Sequence, residues 1–97
     1  MDIRVSAAAA EMVRQQGGRL WVWAARPWGC CWGTPAEMHA DTERPPHLTG
    51  FSLVSRDQID IWFCSPGGRV PDVLEIGVWG KRKPRVEAYW NGLRVAL

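Results

Sequence analysis

The sequence predicts an α+β domain in which one N-terminal helix is followed by about seven short strands. Three observations support this prediction: a single helix-forming run near the N-terminus, a succession of short segments with alternating apolar and polar residues, and turn-forming residues between those segments. The strands are expected to be mostly antiparallel, with the helix on one face of the sheet. Ninety-seven residues are enough for one domain, so we expect residues 1–97 to form a single unit.

The helix is predicted over residues 7–16. Ser6 is a favourable N-cap, the run that follows is rich in strong helix formers, and Gly17-Gly18 provides the left-handed conformation that ends a helix. Spacings of three and four residues place Met12 and Val13 on one face. These two side chains are therefore expected to pack against the sheet.

Strands are predicted where apolar side chains recur at every second position. In the segment 19–25 both alternating sets are apolar, so this strand is expected to be covered on both faces and central in its sheet. Asn91-Gly92 predicts a two-residue type I′ turn that pairs Trp90 with Leu93. The predicted strands are 3–5, 19–25, 36–41, 51–55, 59–64, 73–79, 85–90 and 93–97.

Composition excludes several classes of protein. The formal net charge of +2 is too small to indicate binding to nucleic acid or to an anionic membrane, and the basic run 81–85 is expected to be a solvated hairpin tip. No segment approaches the ~20 apolar residues of a membrane span. Residues 7–10 are followed at once by Glu11, so no signal peptide is predicted. We expect a cytoplasmic protein whose three cysteines are reduced.

Cys30 and Cys31 are the main candidates for chemistry. They lie in a Pro- and Gly-punctuated segment, and adjacent α-carbons are about 3.8 Å apart, whereas a relaxed disulfide spans roughly 4.4–6.8 Å. Two free thiols are therefore expected, and thiolates suit iron–sulfur clusters, zinc or copper(I). The alternative is that one thiol packs as a small apolar side chain and the other has no role.

His39 and Cys64 are further candidate ligands. Alternation places Glu37, His39 and Asp41 on one face of their strand, which is either a metal-facing edge or simply a solvated face. Cys64 ends a strand and joins the cysteine pair only if the two loops meet at one end of the sheet. His47 is expected to be a surface loop residue.

Enzyme motifs are absent from the sequence. There is no GxSxG, no HExxH and no phosphate-binding Gly-rich loop before a helix. A nucleophile formed by Cys31 and His39 would lack an orienting group. We therefore expect a protein that is not an enzyme.

The order of several short motifs resembles that of the HesB/IscA family of iron–sulfur A-type carrier proteins. The matching pieces are Ile3-Arg4-Val5-Ser6 with Ala9-Ala10, then Gly17-Gly18, the strand 20–24, and Gly29-Cys30-Cys31-Trp32-Gly33. The family's loop motif is Gly-Cys-x-Gly, so this chain has one residue more, and it lacks the family's C-terminal Cys-Gly-Cys tail. The resemblance implies a single HesB-like domain over residues 1–97, with mixed strands in a two-sheet pseudo-barrel.

The resemblance does not imply full cluster-carrier activity, and Cys64 is not at a ligand position of the family. Together with the cysteine pair, it suggests a non-enzymatic protein that binds iron, an iron–sulfur cluster or another soft metal through Cys30 and Cys31. Residue type makes His39 and Cys64 further candidate ligands. One loop offers too few ligands, so a homodimer sharing the metal site is expected. The alternative is a metal-free HesB-like module without a cofactor, which binds a protein partner or a small ligand through its exposed Trp residues and basic hairpin.

Overall fold

The computed structural model describes residues 1–26 and 36–96, and this part of the chain contains one α-helix and eight strands. One strand precedes the helix and seven follow it, which confirms the predicted element order. The elements are β1 (Asp2–Val5), α1 (Ala7–Gln15), β2 (Arg19–Ala25), β3 (Ala36–Asp41), β4 (Ser52–Ser55), β5 (Asp60–Cys64), β6 (Val73–Trp79), β7 (Arg85–Trp90) and β8 (Val95–Ala96), with a short 3-10 turn at Pro66–Gly68 between β5 and β6.

The strands form two mixed sheets. One has the order β1-β6-β7 and the other has the order β4-β5-β2-β3-β8. The pairs β1–β6 and β2–β5 are parallel, while the other pairs are antiparallel. The position of β2 between β5 and β3 confirms the prediction of a central strand.

The pseudo-barrel implied by the HesB/IscA resemblance is not present. Each sheet in the described part of the chain is open, because β1 and β7 end one sheet and β4 and β8 end the other without a further hydrogen-bonded neighbour. The predicted α+β class is correct, but the predicted pseudo-barrel is wrong, because the two sheets do not close.

A single hydrophobic core joins the two sheets and the helix. Leu20 and Val22 of β2 and Leu74 and Ile76 of β6 are almost completely buried in it. Each such side chain contributes about 1.5–3 kcal/mol when it is removed from water. The helix adds Val13, while Met12 packs against the same core only in part. The residues predicted to face the sheet do so.

Side-chain and backbone caps fix both ends of α1. The Ser6 hydroxyl accepts a hydrogen bond from the Ala9 backbone N–H at 3.1 Å, as an N-cap should. At the other end, Gly18 has a φ of 79° and its N–H donates to the Val13 carbonyl at 2.9 Å. The helix stops at Gln15, one residue before the predicted end.

The turn at Asn91-Gly92 is the predicted two-residue hairpin. Both residues have positive φ, 49° and 82°. Trp90 and Leu93 exchange backbone hydrogen bonds of 2.6 and 2.9 Å across it. The last strand, predicted over 93–97, is reduced to β8, and Leu97 lies outside the described residues.

In the described ranges, no helix has the length and apolar character needed to cross a membrane.

Candidate functional site

Three candidate side chains lie in one line across the outer face of the five-stranded sheet. Trp23 of β2 is the register partner of Cys64 on the parallel strand β5 and of His39 on the antiparallel strand β3. Neighbouring residues on each strand point into the core, so Cys64, Trp23 and His39 share the opposite face. We call these three residues the thiol–aromatic row.

Aromatic contacts hold the centre of the row. The rings of Trp23 and His39 are stacked, with centroids 5.4 Å apart and an interplanar angle of 21°. Phe51 meets Trp23 edge-on, with centroids 6.4 Å apart. Such pairs add about 0.5–1.5 kcal/mol beyond the area they bury, so the orientation of the His39 ring is fixed by Trp23.

The Cys64 thiol is free and half-buried at the other end of the row. Its Sγ–H donates to the Thr49 carbonyl oxygen at 3.4 Å. Gly50 lies beside it, where an added Cβ would be 3.8 Å from the sulfur. The connection between β3 and β4 therefore packs against this thiol.

Cys64 and His39 do not form a joint metal site by themselves. They are two strand spacings apart, roughly 10 Å, and the Trp23 indole stands between them. The acid nearest to His39 is Glu37, with 4.0 Å between Nε2 and Oε2, and both side chains are largely exposed. Over residues 1–26 and 36–96, no three His, Cys, Asp or Glu side chains are grouped so as to hold a metal ion.

The predicted ligands Cys30 and Cys31 lie outside the described residues, as does most of the predicted loop 26–33. The strands on either side of them are described. Ala25, the last residue of β2, pairs with Glu37 at the start of β3. β2 therefore ends and β3 begins at the same edge of the sheet, two residues beyond Trp23 and His39. We call this edge the thiol rim.

Three other predictions about surface residues are confirmed: the face that Glu37 and Asp41 share with His39, the exposure of His47, and the exposure of the basic run 81–85. Glu37 and Asp41 are exposed on the face they share with His39, and Ala36 and Met38 are buried on the other. His47 is exposed, and so is the whole basic run 81–85.

The sequence did not reveal a polar cleft beside His39. Glu87 is only 9% exposed and pairs with Arg94, with Nη2 3.2 Å from Oε2. Glu87 alternates with the apolar Val86 and Ala88 along β7, and it is buried because β3 and β8 pack beside that strand. The resulting cleft has a volume of about 380 Å³ and is lined by charged groups that include Glu37, His39, Arg85, Glu87 and Arg94. Only the tertiary contact between β3 and β7 reveals it.

The fold and site define a small α+β domain of two mixed sheets, in which the strands before and after the cysteine pair in the sequence, β2 and β3, are neighbours in the larger sheet. A family model matches residues 1–86, and its description is "CC/Se motif containing family". The chain belongs to this family. No curated protein and no solved structure matches the chain.

The HesB/IscA assignment is wrong, because the family that matches is a different one. The resemblance depended on a Gly-Cys loop and on an element order of helix and short strands. Neither feature is specific enough to separate families of small α+β domains.

Proposed function

We propose that this protein binds a soft metal ion through the thiolates of Cys30 and Cys31, without acting as an enzyme. The single observation that carries the proposal is the position of the thiol rim. The segment with both cysteines joins β2 to β3 at the edge where Cys64 and His39 flank Trp23. Thiolates such as those of Cys30 and Cys31 are donors that zinc, copper(I) and iron–sulfur clusters favour.

The family description supports the same residues. It names a CC motif, and Cys30-Cys31 is the only pair of adjacent cysteines in the sequence. The pair also lies within the matched residues 1–86. Adjacent thiols suit a metal better than a disulfide, because a relaxed disulfide needs a wider separation than neighbouring residues have.

Two thiolates leave a tetrahedral metal or a cluster short of ligands, since such sites commonly take four. Cys64 is engaged with the Thr49 carbonyl, and His39 is held flat against Trp23. We therefore assign the remaining ligands to a second copy of the chain. The metal site is then shared across a homodimer.

Anaerobic titration of the reduced protein with Cd²⁺ tests the proposal. Thiolate-to-cadmium charge transfer gives an ultraviolet band, and we expect it in the wild type with one Cd²⁺ for two chains. Parallel reconstitution with iron and sulfide, read by visible absorbance, shows whether the site accepts a cluster. Mass measurement with and without metal reports the dimer.

Matched variants identify the ligands. Cys30→Ser and Cys31→Ser together should abolish the band, while Cys64→Ser should keep it and so serves as the control for loss of a thiol. Far-UV circular dichroism confirms that each variant is folded. A double variant that retains the full band, or a wild type that gives none, contradicts the proposal.

A metal-free interaction module is the alternative, and one observation favours it. Trp79 is 65% exposed and is followed directly by the exposed basic run 81–85. An exposed indole beside cationic side chains has the composition of a protein interface that accepts an acidic partner. Three results together would support this alternative: the wild-type protein gives no charge-transfer band, it is monomeric with and without metal, and added metal does not change its stability.

A further inference from the structure

A second concave site lies on the outer face of the five-stranded sheet, beside the thiol–aromatic row, which it meets at Phe51. It is a cleft of about 210 Å³ lined by Arg19, Trp21, Arg44, Phe51 and Trp62. Trp21 and Trp62 are register partners on β2 and β5, so their indoles stand side by side. Arg44 and Phe51 come from the connection that follows β3 and crosses to β4. The cleft therefore has aromatic walls and two guanidinium groups.

All polar side-chain groups that line this cleft are hydrogen-bond donors. Arginine and tryptophan side chains carry N–H groups and no acceptor. The Nε1–H of Trp62 is buried and has no hydrogen-bond partner in the described part of the chain. A buried donor without an acceptor costs about 1–3 kcal/mol. Because that atom is buried, the side-chain donors that we expect a ligand oxygen to reach in this cleft include those of the two exposed arginines.

The charged side chains that line the cleft are the two arginines. No ion pair joins Arg19 or Arg44 to an acid within residues 1–26 and 36–96. Asp60 is the register partner of Arg19 and Asp41 that of Trp21, but neither carboxylate lines the cleft. Both guanidinium groups are exposed and available to an anion.

We propose that this cleft binds a small planar aromatic carboxylate. The rings of Trp21, Phe51 and Trp62 provide stacking surfaces, and a guanidinium fork matches a carboxylate in two parallel hydrogen bonds. The volume is below the ~300–1,000 Å³ of pockets for drug-sized ligands, so the occupant has one ring or two fused rings. This binding is independent of the metal proposed for the cysteine pair.

Calorimetric titration with 2-naphthoate tests the proposal on the full chain at neutral pH. Two comparison compounds separate the two parts of the ligand: 2-naphthamide has the same rings without charge, and cyclohexanecarboxylate has the charge without an aromatic ring. We expect submillimolar binding of 2-naphthoate and at least about tenfold weaker binding of either comparison compound, since both stacking and the charge-assisted contact are needed.

Variants locate the binding. The double variant Arg19→Gln with Arg44→Gln should weaken 2-naphthoate at least about tenfold, because it removes both charge-assisted contacts. Arg82→Gln, on the basic hairpin, changes the net charge without touching the cleft and should leave the affinity within about twofold. Equal affinity for 2-naphthamide, or unchanged affinity in the double variant, overturns the proposal. The Cys30→Ser, Cys31→Ser variant should bind 2-naphthoate as the wild type does, which separates this test from that of the metal site.

Discussion

Asn91 links the final hairpin to the start of β6 through three separate properties. Its φ of 49° allows the tight turn after β7. Its backbone N–H donates to the Val73 carbonyl at 2.9 Å, and its side-chain Oδ1 accepts from the Val73 N–H at 2.9 Å. One residue therefore closes the turn and also caps the neighbouring strand.

Substitution of Asn91 separates these properties. Asn91→Gly keeps the positive φ but loses the side-chain hydrogen bond, so the free energy of unfolding should fall by about 0.5–1 kcal/mol. Asn91→Ala loses the same hydrogen bond, and alanine has no polar side chain to offset the strain of a positive φ. The free energy of unfolding should therefore fall by about 1–2 kcal/mol. Urea unfolding measures both. A smaller loss of unfolding free energy in Asn91→Ala than in Asn91→Gly would contradict the role assigned to the positive φ of Asn91.

Gly80 is required by a close contact in the turn between β6 and β7. Its φ is 106°, and an added Cβ would be 2.9 Å from the Lys83 carbonyl oxygen. Gly80→Ala should therefore destabilise the protein by about 1–3 kcal/mol. Gly77→Ala is the matched control, because there the added Cβ meets only a Tyr89 ring carbon at 3.8 Å and φ is not in the positive region. Thermal unfolding should show a clear drop for Gly80→Ala and little change for the control.

At the scale of elements, α1 begins where Ser6 accepts the Ala9 N–H. Ser6→Ala removes this acceptor and should lower the free energy of unfolding by about 1 kcal/mol. A domain of this size then loses about 4–8 °C in melting temperature for each kcal/mol. Ser6→Asp, which keeps an acceptor at the helix N-terminus, should retain most of the stability. Equal loss in both variants would show that the hydroxyl is not acting as a cap.

The elements were predictable because each depends on local sequence. Ser6 and Gly17-Gly18 marked the helix ends. Alternation marked the strand over 19–25 but not the side of β2 that faces the core, because both alternating sets are apolar; one set is buried and the other is only half-buried. The parallel pairings β1–β6 and β2–β5 were not predictable, because they join segments far apart in the chain and no local pattern specifies them.

The candidate site, too, was predictable only where it depends on local sequence. Local alternation placed His39 and Cys64 on outward faces, as found. It did not place Trp23 between them, since that depends on the register of three strands. The burial of Glu87 was missed for a similar reason: the pattern along β7 contains no information about the packing of β3 beside it.

At the scale of the whole molecule, the two sheets depend on each other. Leu20 of the larger sheet and Leu74 of the smaller one are both completely buried in the same core, and Val13 of the helix packs there too. Neither sheet has a separate core within the described residues. The domain should therefore unfold as one cooperative unit.

A pair of core variants tests this coupling. Leu20→Ala and Leu74→Ala each remove buried methyl groups and leave a cavity, so each should cost about 2–5 kcal/mol. This is a large part of the 5–15 kcal/mol that stabilises an ordinary domain. Tryptophan fluorescence and far-UV circular dichroism should report the same unfolding midpoint in each variant. Val70→Ala, at a side chain 56% exposed, should change stability by less than about 0.5 kcal/mol. Separate transitions for the two probes in either variant would mean that the sheets unfold independently.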